Sequence, residues 1–583
     1  MLVLPWPSAR SASILLRLGL AAVLLAPVHV ARAASVQATH GAVASEHRLA
    51  SAAGVEILQR GGNAVDAAVA AALATGVVNP SSSGLGGGGF LVLWDAAKSR
   101  ATSIDFRETA PRWAYDAMYI RADGTLEAKA SRDGALAIAV PGEARGLAMA
   151  LERYGRLSFA DVAAPAIRIA REGFAIEAHL AAQIASGRER LAADPELARV
   201  FLHADLAPKR KGELLKRPEL AATLERLATV GVEDFYRGQI AADIAKSVAA
   251  AAKRSTPPSP AQPLDQEDLA AYRPLERAPL LFRYRGRSIA AMAPPSSGGG
   301  VLTEILAVLG PYNVAKLRGQ GAAWPHLLGD TMKAVFADRA AYYGDPAFTT
   351  VPLSRLLSPA HADQIRAKLN PKKAVPSASF GPNAAPTSDA GTSNISVVDA
   401  DGNAVALTTS VNTSFGSGVS VAGRDVILNN TMDDFSAQPG KPNNFGLVGS
   451  KANAIAPGKR PLSSMTPVVV TRDGQVELVL GGSGGPRIIT ATLQTLLGVL
   501  DLNLSVDAAV SAPRIHHQWM PEVLMVEDEI SAQVRAELSR LGHRVVPLPG
   551  GVSVTAVGVS GTGPTRKLEA SSDPRKGGVP AGY

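Results

Sequence analysis

The connection that ends at Gly391 is the feature that most constrains the fold of this chain of 583 residues. The segment KKAVPSASFGPNAAPTSDAG, residues 372–391, has no helical or strand periodicity. The chain then passes directly into the runs NISVVD and AVALTTSV, which flank the hairpin signal Asp401-Gly402-Asn403. This pattern predicts a β-hairpin whose first strand opens at Thr392, immediately after a loop suited to cleavage.

Helical and strand patterns alternate along the rest of the chain. Apolar residues recur at helical spacing from His47 to Thr75, and the second part of this stretch is Ala-rich on all sides, as in a buried helix. We expect several helices over residues 159–250, a strand over Phe90–Trp94 and a helix over Arg487–Leu500. Strands with helices on both sides indicate a layered α/β (α+β) domain.

Residues 1–33 have the pattern of a signal peptide. Arg10 and Arg17 precede the apolar run LGLAAVLLAPVHV, which is too short to span a bilayer and ends in the A-x-A signal Ala31-Arg32-Ala33. We therefore expect cleavage near Ala33 and a periplasmic or secreted protein. No later segment has the uninterrupted apolar length of a membrane span.

Charge and cysteine content exclude several classes of function. The formal net charge of +8 falls to +5 when the three arginines of the signal segment are removed, which does not indicate a nucleic acid partner. The basic run Lys209-Arg210-Lys211 favours a solvated loop. The chain has no cysteine, so any nucleophile must be an oxygen or an amine.

Two glycine motifs offer alternative chemistry. Gly84, Gly86 and Gly89 form G-x-G-x-x-G, but a strand follows this loop where a dinucleotide site needs a helix, so a tight backbone turn is favoured. Ser483 stands in G-x-S-x-G between an apparent strand and an apparent helix, which is the context of a serine nucleophile elbow. Its partners would be His543 and one of three aspartates, Asp501, Asp507 or Asp528.

Metal ligation has little support in the sequence. There is no H-E-x-x-H, and the adjacent His516 and His517 would not converge on one ion from a helix or a strand. We expect a structural or surface role for this pair, no metal ion and no cofactor.

Thr392 is a further candidate for a nucleophile. A threonine at a new N-terminus carries both the attacking hydroxyl and its own base, because an α-amine with a pKa of about 7.7–8.0 is partly neutral at pH 7. Glycine at position 391 leaves the preceding carbonyl open to attack by Thr392 Oγ. Taken alone, an ordinary loop entering a strand would still be the simpler interpretation.

A long set of ordered motifs decides between these alternatives. From about Gly41 to Tyr583 the sequence resembles the γ-glutamyltransferases (γ-glutamyl transpeptidases) of the N-terminal nucleophile hydrolase superfamily. The motifs are GGNAVDAAVA, GLGGGGF, DFRETAP, PPSSGGG, FADRAAYYGDP, GTSNISVVDADGNAV, NTSFGSG, LNNTMDDFS, KRPLSSMTP, GGPRIIT, APRIHHQW and SDPR…AGY. The resemblance implies a four-layer αββα sandwich and self-cleavage between Gly391 and Thr392.

The same resemblance implies roles for residues around the nucleophile. Ser410 matches the hydroxyl residue, usually threonine, that supports the nucleophile. Gly484 and Gly485 match the pair whose backbone N–H groups form an oxyanion hole, which makes Ser483 a neighbour rather than the nucleophile.

A second group of matching residues implies a clamp for an amino-acid substrate. Arg107, Ser463 and Ser464 match donors to the substrate α-carboxylate, and a guanidinium suits that role as a bidentate fork. Asn412 and Asp434 match acceptors for the α-ammonium.

Two positions depart from the family pattern. Thr431 stands where the family commonly has Glu or Gln, so we expect a weaker or altered grip on the α-amino group. Phe445 would be the aromatic tip of a lid over residues 439–449, without the hydroxyl of the Tyr often found there.

Together these features predict an exported enzyme that cleaves itself into a large fragment, residues 34–391, and a small catalytic fragment, residues 392–583. Both fragments would form one αββα domain as a heterodimer. The expected donors are glutathione and other γ-glutamyl compounds, and the acceptors are water, amino acids or dipeptides. The alternatives are a glutaryl or cephalosporin-type β-lactam acylase on the same scaffold, a Ser483 hydrolase and a non-catalytic binding protein.

Overall fold

A computed structural model describes residues 33–127, 129–254, 262–381 and 391–583. The strands are β1 Ala34–Ala38, β2 Ala42–Ala44, β3 Gly88–Asp95, β4 Arg100–Asp105, β5 Phe174–Ala175, β6 Leu214–Leu215, β7 Leu275–Arg277, β8 Leu280–Tyr284, β9 Arg287–Ala291, β10 Ser393–Val398, β11 Ala404–Ser410, β12 Ser420–Val421, β13 Val426–Ile427, β14 Val468–Arg472, β15 Gln475–Ser483, β16 Ile515–His516, β17 Leu524–Val526, β18 Val545–Pro547, β19 Ser553–Ser560, β20 Lys567–Ser572 and β21 Ala581–Gly582.

The α-helices are α1 Arg48–Gln59, α2 Ala64–Val78, α3 Glu143–Tyr154, α4 Phe159–Glu172, α5 Ala178–Ser186, α6 Arg188–Ala192, α7 Pro195–Phe201, α8 Pro218–Val230, α9 Asp234–Arg237, α10 Gln239–Ala252, α11 Gln266–Ala271, α12 Gly298–Leu309, α13 Val314–Arg318, α14 Ala323–Tyr342, α15 Leu353–Leu356, α16 Pro359–Lys368, α17 Arg487–Leu500, α18 Val506–Ser511 and α19 Ala532–Arg540.

Two seven-stranded sheets form the centre of the fold. Their strand orders are β1-β20-β19-β15-β14-β9-β8 and β21-β2-β10-β11-β3-β4-β7. Each sheet contains strands from both sides of Gly391; β10 pairs with β2, and β11 pairs with β3. The inner faces of the two sheets share one apolar core, to which Val398, Ala406 and Val479 belong.

Helices cover the outer face of each sheet because side chains alternate along the strands. Ile395 and Val397 of β10 point into the core formed with α1 to α4, whereas Val398 points between the sheets. On the other side, Leu478 and Leu480 of β15 pack in the core formed with α12, α14 and α17. This is the predicted αββα arrangement.

Most of the predicted elements are confirmed, with differences at their ends. The predicted hairpin is β10–β11, and Gly402 in its turn has a φ of 86°. The last three residues of the motif PPSSGGG, Gly298–Gly300, form the first turn of α12. Residues 1–32 of the predicted signal peptide lie outside the described residues. Among the described residues, no helix has both the length and the apolar character needed to cross a membrane.

Candidate active site

The hairpin brings Thr392 and Ser410 together. Thr392 immediately precedes β10 and Ser410 ends β11, and the antiparallel register pairs Ser393 with Thr409. Thr392 Oγ1 lies 3.2 Å from Ser410 Oγ. Both hydroxyls donate to the carbonyl oxygen of Gly391, from 2.8 Å for Thr392 and 2.7 Å for Ser410. The backbone N–H of Asn412 donates to Ser410 Oγ at 2.8 Å, which fixes the orientation of that hydroxyl.

Arg107 is buried in the site beside two acidic side chains. Its Nη2 donates to Asp434, its Nη1 to Glu108 Oε2 at 3.3 Å and its Nε to the carbonyl of Pro461 at 3.2 Å. Burial raises the pKa of both Glu108 and Asp434, and the guanidinium of Arg107 opposes that rise. Thr431 donates its hydroxyl to Glu108 Oε1 at 2.8 Å, so this hydroxyl is directed at Glu108.

A second arginine, Arg339 of α14, lies in the same place and was not assigned from the sequence. Its Nη2 donates to Ser464 Oγ at 3.1 Å and its Nε to Ser297 Oγ at 2.8 Å. Among the described residues, no carboxylate lies within ion-pairing distance of this guanidinium, which is only 3% exposed. Burial lowers its pKa to about 10, so Arg339 is still a cation at neutral pH. The motif FADRAAYYGDP contains it, but nothing in the spacing of that motif points to the site.

Gly484 and Gly485 form a turn with left-handed backbone, with φ values of 122° and 61°. This turn joins β15 to α17, and no acceptor among the described residues takes either backbone N–H. A Cβ on Gly485 would lie 2.8 Å from Phe445 Cδ1, so only glycine permits this contact. The turn therefore offers two free donors beside the hairpin.

Phe445 covers the turn from the segment 439–449. It is buried, and Gln518 Nε2 donates to its carbonyl at 3.0 Å. The next residue back, Asn444, donates its backbone N–H to Asp433 Oδ2 at 3.0 Å. Two hydrogen bonds therefore hold the tip of the segment in place.

Most of the predicted site residues line one small cavity of about 30 Å³. Those lining it are Arg107, Thr392, Ser410, Asn412, Asp434, Phe445, Ser463, Ser464 and Gly485, together with Arg339. Gly484 and Thr431 are not among the lining residues. The arrangement places the hydroxyls of Thr392 and Ser410 beside two arginines, an aspartate and free backbone donors, a set that suits acyl transfer from a substrate carrying a carboxylate and an ammonium.

Comparison with known proteins agrees with this geometry. Residues 50–583 match the family Gamma-glutamyltranspeptidase. The chain belongs to this family. It is 40% identical to the glutathione hydrolase proenzyme of Escherichia coli strain K12 over 550 residues, which cover 94% of this chain and 93% of that protein. It is 38% identical to the glutathione hydrolase proenzyme of Pseudomonas sp. strain A14 over 564 residues, which cover 95% and 96%.

A solved structure extends the comparison to the fold. The cephalosporin acylase from Bacillus halodurans superimposes with a TM-score of 0.81 at 27% identity, covering 100% of this chain and 98% of the acylase. The two proteins therefore share the αββα fold. The family match and the relatives named above favour the γ-glutamyltranspeptidase interpretation over the β-lactam acylase alternative.

The serine-elbow alternative finds no support in this γ-glutamyltranspeptidase. Ser483 Oγ donates to Glu46 and lies 2.7 Å from Lys576 Nζ. His543, the histidine of the hypothetical triad, instead lies 2.7 Å from His326, between Nε2 and Nδ1. Ser483 thus belongs to a buried ionic network, in which Lys576 also donates to the carbonyl of Thr392 at 3.0 Å.

The other glycine and histidine motifs are structural. A Cβ on Gly86 would lie 2.1 Å from the carbonyl oxygen of Ile427, so the G-x-G-x-x-G loop is a close backbone contact. His516 is buried between Thr490 and Gln518, at 2.8 Å and 2.9 Å, and burial lowers its pKa to about 3.

Proposed function

We propose that this chain is a self-cleaving γ-glutamyltransferase that acts on glutathione and related γ-glutamyl compounds through an ester on Thr392. The observation that carries the proposal is the shared carbonyl of Gly391, which accepts hydrogen bonds from the hydroxyls of both Thr392 and Ser410. One hydroxyl is thereby placed next to the scissile carbonyl, and the other polarises it.

Self-cleavage follows from this contact. Thr392 Oγ attacks the carbonyl carbon of Gly391, the C–N bond breaks, and an ester forms while the Thr392 amine becomes free. Water then hydrolyses the ester, which releases Gly391 as a carboxylate. The products are a large fragment, residues 34–391, and a small fragment, residues 392–583. They remain one heterodimer because β10 and β11 are held between β2 and β3 of the large fragment.

The catalytic cycle reuses the same hydroxyl. The free α-amine of Thr392 takes the hydroxyl proton as Oγ attacks the γ-amide of the donor. The free N–H groups of Gly484 and Gly485 stabilise the oxyanion. Cysteinylglycine leaves when the donor is glutathione, and water, an amino acid or a dipeptide accepts the γ-glutamyl group.

The clamp for the donor uses both arginines. Arg107, Arg339, Ser463 and Ser464 face the α-carboxylate, while Asp434 and Asn412 accept from the α-ammonium. Thr431 acts through Glu108 rather than on the substrate. Because the cavity of about 30 Å³ has room for about two water molecules, Phe445 and its segment must move aside before a donor enters.

The proposal includes export of the enzyme, on the strength of the signal pattern in residues 1–33. A periplasmic or secreted enzyme would meet γ-glutamyl compounds outside the cytoplasm. N-terminal sequencing of the large fragment from the native host would find a start near Ala34 if this is correct.

The test begins with intact mass and N-terminal sequencing of wild type beside Thr392→Ala. The proposal requires that the wild type yield a fragment starting Thr-Ser-Asn-Ile-Ser and that the variant stay whole. Three p-nitroanilide donors then separate the substrate classes: γ-glutamyl, glutaryl without the ammonium, and 4-aminobutyryl without the α-carboxylate. Turnover must be highest with γ-glutamyl. Preference for glutaryl would favour the acylase alternative, and an uncut wild type would remove Thr392 as an N-terminal nucleophile.

A further inference from the structure

Outside the catalytic cavity, three helices bring a glutamate, an aspartate and a histidine together. Glu304 lies on α12, Asp338 on α14 and His361 on α16. His361 Nε2 lies 3.1 Å from Glu304 Oε1 and 2.9 Å from Asp338 Oδ2. One potential ligand atom from each residue lies within 4.8 Å of the other two. Ligands bound to a single ion at about 2.0–2.2 Å stand about 3 Å apart, so this set needs little movement to share one.

The cluster holds two carboxylates beside one imidazole in a largely buried place. Glu304 is fully buried, and Asp338 is mostly buried. Among the described residues, His361 is the one basic side chain within 4 Å of either carboxylate. A divalent ion beside a neutral imidazole would balance the charges of both carboxylates when they are ionised.

An unsatisfied oxygen points to the same conclusion independently. Glu304 Oε2 is buried and has no hydrogen-bond partner among the described residues. A buried carboxylate oxygen without a donor costs free energy, because it has lost its water without replacement. A metal bond to Glu304 would remove that cost.

An adjoining cavity gives the cluster access to solvent. It has a volume of about 390 Å³, and Asp338 and His361 line it together with Lys368 and Phe380. An ion bound by the three side chains would therefore have room for water ligands on this side. One imidazole nitrogen with two carboxylates suits zinc or manganese, whereas calcium prefers oxygen ligands alone.

We propose that Glu304, Asp338 and His361 bind one divalent first-row transition ion. The ion joins α16 to α12 and α14, and α14 also carries Arg339 of the catalytic cavity. The expectation of no metal, drawn from the sequence, rested on short motifs. Such motifs do not reveal these ligands, because His361 is 57 residues from Glu304 and 23 from Asp338.

A second cluster, His326, Asp330 and His543, provides a matched control. Its ligand atoms also lie within 4.8 Å of one another, and Asp330 Oδ1 likewise has no hydrogen-bond partner among the described residues, but this cluster already contains a cation. The two histidines contact each other at 2.7 Å, and His326 Nε2 lies 2.7 Å from the carbonyl of Asn370. Asp330 pairs with Lys333 at 3.0 Å, so a cation already balances its charge.

The experiment uses untagged full-length protein, stripped with a chelator and then dialysed against zinc chloride or manganese chloride. Bound metal is measured by inductively coupled plasma mass spectrometry, and thermal unfolding is recorded with and without the ion. We expect one equivalent bound to wild type and to His543→Gln, with a raised Tm. We expect Glu304→Gln and His361→Gln to lose this equivalent and the rise in Tm while keeping cooperative unfolding without metal.

Several results would overturn the proposal. A stripped wild type that takes up neither ion contradicts it directly, whatever the variants do. Uptake that persists in both Glu304→Gln and His361→Gln, or that is lost in His543→Gln alone, would place the ion elsewhere. None of these readouts depends on self-cleavage or transferase activity, so failure here leaves the proposed function standing.

Discussion

Arg339 donates to the hydroxyl of Ser464 across 3.1 Å, and no carboxylate of the described residues pairs with its charge. Arg107, by contrast, already has Asp434 and Glu108 as partners. Asp434 acts on the charge of Arg339 only from beyond ion-pairing distance, so an incoming carboxylate could make the direct ion pair that Arg339 lacks. Of the two arginines in the cavity, we therefore expect Arg339 to gain more from binding an anionic donor.

Replacing Arg339 should weaken donor binding without lowering the stability of the folded protein. We expect Arg339→Met to raise KM for γ-glutamyl p-nitroanilide about tenfold to hundredfold, since a charged hydrogen bond contributes about 1.5–3 kcal/mol. KM for the 4-aminobutyryl donor, which lacks the α-carboxylate, should change much less. The free energy of unfolding should change little, because the lost hydrogen bonds to Ser297 and Ser464 are offset by the removal of a buried charge. Equal losses with both donors would contradict this role, and Arg339→Lys serves as the charge-preserving control.

The roles of Arg107 and Arg339 show where sequence reasoning reaches its limit. The hairpin, the buried Ala-rich helix and the helix over Arg487–Leu500 follow from local patterns and were predicted. Arg339 was missed because only the packing of α14 against the loop containing Ser464 brings it into the cavity. Gly299 illustrates the same limit, since a Cβ there would lie 2.3 Å from the carbonyl of Met292, a contact made by tertiary packing.

Ser410 should control the rate of self-cleavage. Ser410→Ala removes one of the two hydrogen bonds to the carbonyl of Gly391, and loss of one such donor typically costs about 10²–10³ in rate. Ser410→Thr keeps the hydroxyl and should cleave at a rate close to wild type. The measurement is the time course of the fragment beginning at Thr392 after denatured precursor is refolded. Cleavage of Ser410→Ala at the wild-type rate would show that Thr392 acts without this partner.

The ion pair of Lys576 and Glu46 should stabilise the precursor. The two charges lie 3.5 Å apart, and both side chains are almost fully buried. Lys576→Met leaves Glu46 without its cation, which we expect to cost about 3–5 kcal/mol in the free energy of unfolding. The double variant Glu46→Gln/Lys576→Met should recover much of that loss. All variants are made in Thr392→Ala, so that urea unfolding compares uncut chains; a double variant no more stable than Lys576→Met would refute the pairing.

Asp433, which lies beside the lid segment 439–449, should make the free energy of unfolding depend on pH. Burial, together with the neighbouring Asp434, raises its pKa from 3.8 to about 7, although Ser131 and the backbone of Asn444 donate to it. The contribution of Asp433 to the stability of the folded protein is fully present below pH 3.8, the unfolded pKa. It is lost as the pH rises through about 7, the folded pKa. Asparagine cannot ionise, so Asp433→Asn should gain stability relative to wild type across this window. The gain is at most about 4 kcal/mol, at 1.36 kcal/mol for each tenfold change.

Urea unfolding of both chains in the Thr392→Ala background, at several pH values between about 4 and 8, measures this difference. Asp434 interacts with Asp433, so its own titration is part of the measured difference between the two chains. A difference in unfolding free energy that stays flat with pH would mean that Asp433 is ionised throughout. A wild type that gains stability over Asp433→Asn as the pH rises would mean that the hydrogen bonds from Ser131 and Asn444 outweigh burial.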